Sequence, residues 1–367
     1  MNIIISNEER ALFSKNSAVY PKSVIRLNVW YHPVMQETFD ANPDYILNTI
    51  DLDADEQTTS EALEQAHAYQ ISSAKDETPE RWYANANLLA RAPNLLCVSA
   101  SGSGYDTVDV EACTEAGVLV LCQSGANAQS VAEHTIGLMI SVSKRLCEAD
   151  RYLRCERGFS REELMGREIS GKTLGLVGIG HIGRRVAALA KAFGMRVIAY
   201  DPALDDATVA ERNAKKVTME TLLAEADYVS LHCPRNDETL NLMDAVAFQA
   251  MKPGAAFITT ARGGIHSEHA LTEALQSGHL AGAGIDVWDV EPPALDNPLL
   301  AMQNVVATYH TAGVTHEARR NIACWAAEQI IHTLDGHVPP RLVNPQAWPK
   351  YAARYEALFG MRPKAIQ

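Results

Sequence analysis

Along most of the chain, apolar residues gather in short unbroken runs separated by stretches in which they recur every third or fourth position. Thr173–Val177 is one such run. It is too short for a helix but suits a strand buried on both faces, and it leads directly into Gly178-Ile179-Gly180-His181-Ile182-Gly183. Ile182, Val186, Leu189, Ala190 and Phe193 then keep helical spacing, Gly194 stops the helix, and residues 195–200 form a second apolar run closed by Asp201. Strand, glycine turn, helix and strand make one βαβ unit.

The same rhythm holds on either side of this unit. Upstream it predicts strands at residues 24–30, 45–50, 68–72, 95–100 and 118–121, with helices at 34–41, 56–66 and 108–116 between them. Residues 127–151 read as one long helix that leaves this first sheet. Downstream of Asp201 the pattern predicts a helix at 219–226, strands at 228–232 and 255–260, a helix at 267–277, and strands at 281–286 and 305–308. A last long helix at 314–334 precedes a proline-rich tail over 337–350, whereas the run Ile3 to Ile5 near the start belongs to no assigned element. Strands alternating with helices imply an α/β protein with doubly wound parallel sheets. A chain of 367 residues favours two domains, because a single core stops growing near about 250 to 300 residues. We expect residues 1–125 with 317–367 in one domain and 126–316 in the other.

The glycine turn carries the first chemistry. Gly178 allows the tight turn, Gly180 lets the backbone approach a pyrophosphate, and Gly183 lets helix and strand pack closely, so that the helix N-terminus faces an anion. A carboxylate at the tip of the second strand, Asp201, is placed to accept both hydroxyls of an adenosine ribose. It would repel the 2′-phosphate of NADP, so the expected cofactor is NAD.

Beyond Asp201, three more strand ends carry reactive side chains: Thr259-Thr260-Ala261-Arg262-Gly263-Gly264, Asp286-Val287-Trp288-Asp289-Val290-Glu291, and Tyr309-His310-Thr311-Ala312-Gly313. In an open parallel sheet the ligand lies outside the carboxyl ends of the strands, which would gather Arg262, Glu291 and His310. Singly, each has a plainer reading: Arg262 as a loop arginine in a surface ion pair, Glu291 as a turn acid before two prolines, His310 as a cap on the final helix. Together with GIGHIG they closely resemble the D-isomer-specific 2-hydroxyacid dehydrogenase family, over residues 95–344.

That resemblance implies two flavodoxin- or Rossmann-like domains joined by two long helices, a homodimer built through the cofactor domain, and a catalytic Arg262, Glu291 and His310. SASGSGYDTVD is similar to the family's substrate loop, which gives Ser103 and Gly104 the role of holding the substrate carboxylate. NAQSVAEH is similar to the family's first linker-helix motif. His181, Ile182, His232, Cys233, Pro234, Thr260, Ala261, Asp286 and Gly313 match positions around the cofactor. The chemistry agrees with these roles. Hydride transfer at C2 of a hydroxy acid needs a group that exchanges the hydroxyl proton, and imidazole serves near neutral pH. Glu291 on the other ring nitrogen would hold the tautomer and stabilise the imidazolium, while the planar guanidinium of Arg262 can pair with the carboxylate and polarise the C2 oxygen.

Composition narrows the partners. The net charge of −13 argues against nucleic acid and anionic membrane surfaces. The seven cysteines are scattered, lack metal-ligand spacing and read as reduced core thiols, so we expect a soluble cytoplasmic protein with no metal and no cleaved signal. Within the family the flow of the chain is most like phosphoglycerate dehydrogenases, but two departures stand out. Ile71-Ser72-Ser73-Ala74-Lys75 puts Ser72 where those enzymes carry a phosphate-binding arginine, leaving Lys75 as a flexible substitute. With the sequence running to Gln367, we expect no appended regulatory domain. A small 2-oxo acid such as glyoxylate or hydroxypyruvate, a sulfonated or phosphonated acid, phosphoglycerate itself, and an NAD-responsive co-repressor role all stay open.

Overall fold

The computed structural model describes residues 21–364. The run Ile3 to Ile5 lies outside the described residues. The chain divides into two compact units, one taking in the described residues up to Asn127 and those from His316 onward, the other Ala128–Thr315.

The first unit holds five parallel strands: β1 (Lys22–Leu27), β2 (Tyr45–Ile50), β3 (Ala68–Ser72), β4 (Cys97–Ser101) and β5 (Leu119–Leu121), in the order β2-β1-β3-β4-β5. Side chains alternate across the sheet, so each strand feeds two cores. Ile25, Tyr69, Ile71 and Val98 pack with Leu63, Leu88 and Leu89 of the helices Glu56–Gln65 and Ala86–Arg91. On the other face, Val24, Ala68, Cys97 and Leu119 pack with Met35 and Phe39 of Val34–Asp40 and with Ala326 and Ile330 of His316–Leu334.

The proline-rich tail is the first correction. Leu342 makes an antiparallel bridge with Leu121, and the buried Asn344 accepts from Val120 N at 2.7 Å and donates to Val118 O at 3.0 Å. A helix, Trp348–Phe359, then lays Trp348, Tyr351 and Tyr355 into the second core. These aromatics stand at helical spacing. Pro349 breaks nothing because it sits in the first turn, where its missing N–H is not needed.

The second unit holds seven parallel strands: β6 (Thr173–Val177), β7 (Arg196–Tyr200), β8 (Lys215–Lys216), β9 (Tyr228–Leu231), β10 (Ala256–Thr259), β11 (Gly282–Ile285) and β12 (Val305–Ala307). Their order is β12-β11-β10-β9-β6-β7-β8, so the winding reverses at β6, which lies between β9 and β7. Helices Ala128–Lys144 and Gly183–Ala192 cover one face, and Met219–Glu225, Ala245–Ala250 and Glu268–Gln276 the other.

A second correction concerns the long helix expected over 127–151. It ends at Lys144, Arg145 takes a left-handed conformation (φ 54°), and a new helix runs Leu146–Cys155. The side chain of Arg145 holds this bend, with Nε and Nη2 donating to the Glu148 carboxylate at 2.7 and 2.6 Å. Ser143 weakens the helix just before it by donating back to Met139 O at 2.6 Å.

Candidate active site

The glycine turn lies at the switch point of the seven-stranded sheet, the place where open α/β sheets bind ligands. Gly178 has φ 89°, and a Cβ there would meet Cys233 N and His232 O at 2.9 Å, so the turn after β6 is pressed against the turn after β9. A Cβ on Gly183 would lie 2.4 Å from Gly178 O, whereas one on Gly180 would meet nothing within 4 Å. The middle of the loop therefore faces open space. Asp201, at the tip of β7, accepts from Ile179 N at 3.0 Å and from Ala203 N at 3.1 Å, each through one oxygen. A carboxylate has lone pairs to spare after two such bonds, and these can take ribose hydroxyls.

The other cofactor candidates fall into two groups. His181 is exposed and its carbonyl accepts from Arg185, while the half-buried Ile182 packs under the first turn of the helix. His232 follows β9; its Nε2 meets Ser230 Oγ at 2.9 Å, its Nδ1 is buried without a partner among the described residues, and burial pushes its pKa down to about 3. Cys233 beside it is pushed up to about 11, mainly by burial, and Pro234 is exposed. Thr260 is buried against Thr135, the two hydroxyls 3.0 Å apart, and Ala261 and Gly313 are half-buried. An open glycine loop, a carboxylate at the next strand tip and an orphaned buried imidazole nitrogen fit a dinucleotide.

Arg262, Glu291 and His310 follow the adjacent strands β10, β11 and β12. His310 Nδ1 and Glu291 Oε2 are 2.8 Å apart, with the histidine side chain 37% and the glutamate 23% exposed. The other carboxylate oxygen of Glu291 accepts from Trp288 N at 3.1 Å. Nδ1–H thus donates to a carboxylate fixed by its own turn, which leaves Nε2 to exchange a proton. The half-buried Arg262 donates from Nη1 to Ala261 O at 2.8 Å.

Three features position these residues in ways the sequence did not suggest, one of them at Asp286, which the resemblance places only beside the cofactor. His310 has φ 45°, a conformation unusual outside glycine, and its N–H donates to Asp286 O at 2.7 Å. The Asp286 carboxylate is fully buried and accepts from Thr308 Oγ1 (2.6 Å), Thr311 N (2.9 Å) and Ala312 N (3.0 Å), so Asp286 shapes the turn that carries His310. Finally, a Cβ on Gly263 would lie 1.9 Å from Trp288 O, and Asp289 Oδ1 accepts from Gly264 N at 2.7 Å. The turns bearing Arg262 and Glu291 are locked together. The glycine pair after Arg262 was the available signal.

In the five-stranded unit, Ser103 and Gly104 are half-buried in the turn after β4, with Ser103 Oγ donating to Asn127 Oδ1 at 3.2 Å. Below it, the buried Gln123 donates to Ser99 Oγ at 3.1 Å and accepts from Gln329 at 2.6 Å. Lys75 is exposed, whereas Ser72 is buried and donates to Glu77 Oε2 at 2.6 Å. All seven cysteines are free, but only Cys97, Cys113 and Cys122 are buried, and Cys147 and Cys155 are exposed. The expectation of core thiols fails for that pair, because the helix that follows the bend at Arg145 buries only Glu148 and leaves both cysteines on its exposed side. Among the described residues no helix is long and apolar enough to cross a membrane.

Residues 136–312 match the model of the D-isomer specific 2-hydroxyacid dehydrogenase NAD binding domain. The chain is 37% identical over 263 residues to the glyoxylate reductase of Korarchaeum cryptofilum, covering 71% of this chain and 79% of that protein. The chain belongs to the D-isomer specific 2-hydroxyacid dehydrogenase family. It is also 39% identical over 260 residues to the D-3-phosphoglycerate dehydrogenase of Archaeoglobus fulgidus, covering 71% of this chain but 49% of that one, so it spans about half the length of such relatives. Among solved structures, the D-lactate dehydrogenase of Aquifex aeolicus complexed with NAD and lactic acid matches with a TM-score of 0.74 and 26% identity, covering 87% of this chain and 98% of that one.

Proposed function

We propose that the protein is an NAD-dependent oxidoreductase that interconverts a D-2-hydroxy acid and its 2-oxo acid. The observation that carries this reading is the His310–Glu291 pair at 2.8 Å, which joins the ends of the neighbouring strands β12 and β11, with Arg262 on the next strand end, β10. NAD supplies the hydride acceptor at its nicotinamide C4 and, when reduced, the donor. The residues of the chain do the rest. Gly178, Gly180 and Gly183 take the pyrophosphate, and Asp201 takes the ribose. Arg262 pairs with the substrate carboxylate and polarises the C2 oxygen, and Ser103 and Gly104 keep the carboxylate-binding role that the family resemblance implies. His310 Nε2 delivers the proton to the C2 oxygen during reduction and removes it during oxidation, while Glu291 holds the ring and balances its charge. Of the two units, the seven-stranded one is the cofactor domain and the five-stranded one the substrate domain.

The preferred substrate is a small unphosphorylated 2-oxo acid such as glyoxylate or hydroxypyruvate, since the buried Ser72 hydroxyl offers no cation to a phosphate. Oxidation of NADH followed with glyoxylate, hydroxypyruvate and 3-phosphohydroxypyruvate tests the reading; failure to turn over any 2-oxo acid overturns it. The protein is a cytoplasmic homodimer, in keeping with its free thiols and with Leu146, Leu153 and Met165, which are 49%, 65% and 70% exposed on one segment of the cofactor domain. Sedimentation of the protein and of Leu153→Asp checks the assembly.

A further inference from the structure

The five-stranded unit carries an acid beside the loop assigned to the substrate carboxylate. β3 and β4 are neighbours that end level, with Ser72 paired in register with Ser101. Past the strand ends they stay tied: Ser73 Oγ donates to Ser101 O at 2.5 Å, and Thr107 Oγ1 donates to Ser72 O at 2.7 Å. Residues 72 and 73 therefore border the start of the loop at residues 101–105, and Thr107 just past it returns to Ser72. Ser72, only 4% exposed, aims its hydroxyl at Glu77 Oε2 from 2.6 Å and accepts from Ala74 N at 3.3 Å. A buried hydroxyl that donates to one carboxylate oxygen fixes where that carboxylate stands. The second oxygen, Oε1, is 4.0 Å from Arg319 Nη2, the outer limit of an ion pair, and the Glu77 side chain is 43% exposed. The acid is thus oriented on one side and only loosely neutralised on the other.

We infer that Glu77 is a specificity-determining residue that sets the charge allowed at the far end of the substrate. This rests on the reading of residues 101–105 as the carboxylate loop. A substrate held there by its carboxylate brings its C3 substituent toward the neighbouring strand end. A hydroxymethyl group can donate to Glu77 Oε1, whereas a phosphate or second carboxylate meets a like charge that Ser72 prevents from swinging away. Rejection of the wrong tail by a like charge separates substrates that the carboxylate contacts alone would treat equally.

The test compares kcat/KM with NADH for hydroxypyruvate and 3-phosphohydroxypyruvate, in the unmodified protein, in Glu77→Gln and in Glu77→Asp, at low and high salt. Gln keeps the bond from Ser72 and removes the charge. We expect Glu77→Gln to raise the phosphorylated-to-unphosphorylated ratio about 10-fold or more, the scale of a like-charge contact at a half-wetted site. Glu77→Asp should keep the unmodified preference. Salt should narrow the gap in the unmodified protein and leave the Gln variant unchanged. A ratio that does not move in Glu77→Gln, or an equal fall for both substrates, would overturn the inference while leaving the oxidoreductase reading intact. If the unmodified protein reduces neither acid, the role of Glu77 falls, and if it reduces no 2-oxo acid at all, glyoxylate included, the oxidoreductase reading falls as well.

Discussion

The turns after β9 and β12 each present a histidine at the carboxyl edge of the same sheet, and the two are built in opposite ways. His310 is 37% exposed, held in a left-handed conformation, and its Nδ1 is 2.8 Å from a carboxylate. His232 has a buried Nδ1 with no partner among the described residues, its Nε2 meets only a serine hydroxyl, and burial pushes its pKa down to about 3. A charged partner and access to water make an imidazole a proton carrier. Without them the same ring is a neutral, buried wall. Residue type decides little at this edge until the partner is known.

The sharpest way to break the comparison is to truncate both rings. His310→Ala should lower turnover by about 10² to 10⁴ in both directions, the range for losing a general acid or base. His232→Ala should leave kcat within about 10-fold and weaken NADH binding instead, since its loss removes a pocket wall and not a proton carrier. Similar losses of kcat in the two variants would erase the distinction.

Acid titration without substrate probes the neutral ring. With its pKa lowered from 6.5 to about 3, His232 refuses in the fold a proton that the unfolded chain accepts. The fold therefore has the full benefit above pH 6.5 and loses it progressively as the pH falls toward 3. One such group contributes a slope of up to about 1.4 kcal/mol per pH unit inside that window. The buried His266, lowered to about 4, adds to the same limb from a site away from the glycine turn. Denaturant melts from pH 7 downward should show a shallower acid limb in His232→Gln and in His266→Leu. An unchanged limb would mean that these rings are hydrated in solution.

Two smaller effects sharpen the contrast. Glu291→Gln should reduce turnover about 10- to 100-fold, as is common when an orienting partner is lost, with little change in NADH binding. Asp201→Ala should weaken NADH by about 10-fold, the scale of a charge-assisted hydrogen bond, and relieve the exclusion of NADPH. A fluorescence titration with both cofactors reads this directly, and tighter binding of NADPH by the unmodified protein would refute the assignment of Asp201.

The parallel strands were legible because strands buried on both faces are written as continuous apolar runs; β3, β6 and β9 begin where the pattern predicts. The reactive side chains were legible because topology alone sends strand ends to one edge. What escaped depends on contacts between distant residues. The bend at Arg145 needs Glu148 and the carbonyl of Glu163, which Nη1 also reaches. The packing of 337–359 needs the β5 backbone that Asn344 meets. The structural role of Asp286 needs three donors on another turn. The placement of Glu77 needs the buried hydroxyl of Ser72, five residues before it.

The contact between Gly263 and Trp288 O carries a lesson for anyone reshaping this protein. With only 1.9 Å available to a side-chain carbon, the turn bearing Arg262 and the turn bearing Glu291 behave as one machined part. A loop graft that replaces either alone inherits the wrong counterpart, and a library that varies positions near Trp288 without sampling those near Gly263 will recover few active clones. Exchanged as a pair, with Asp289 kept to hold Gly264, the two turns become a cassette that can be moved between relatives.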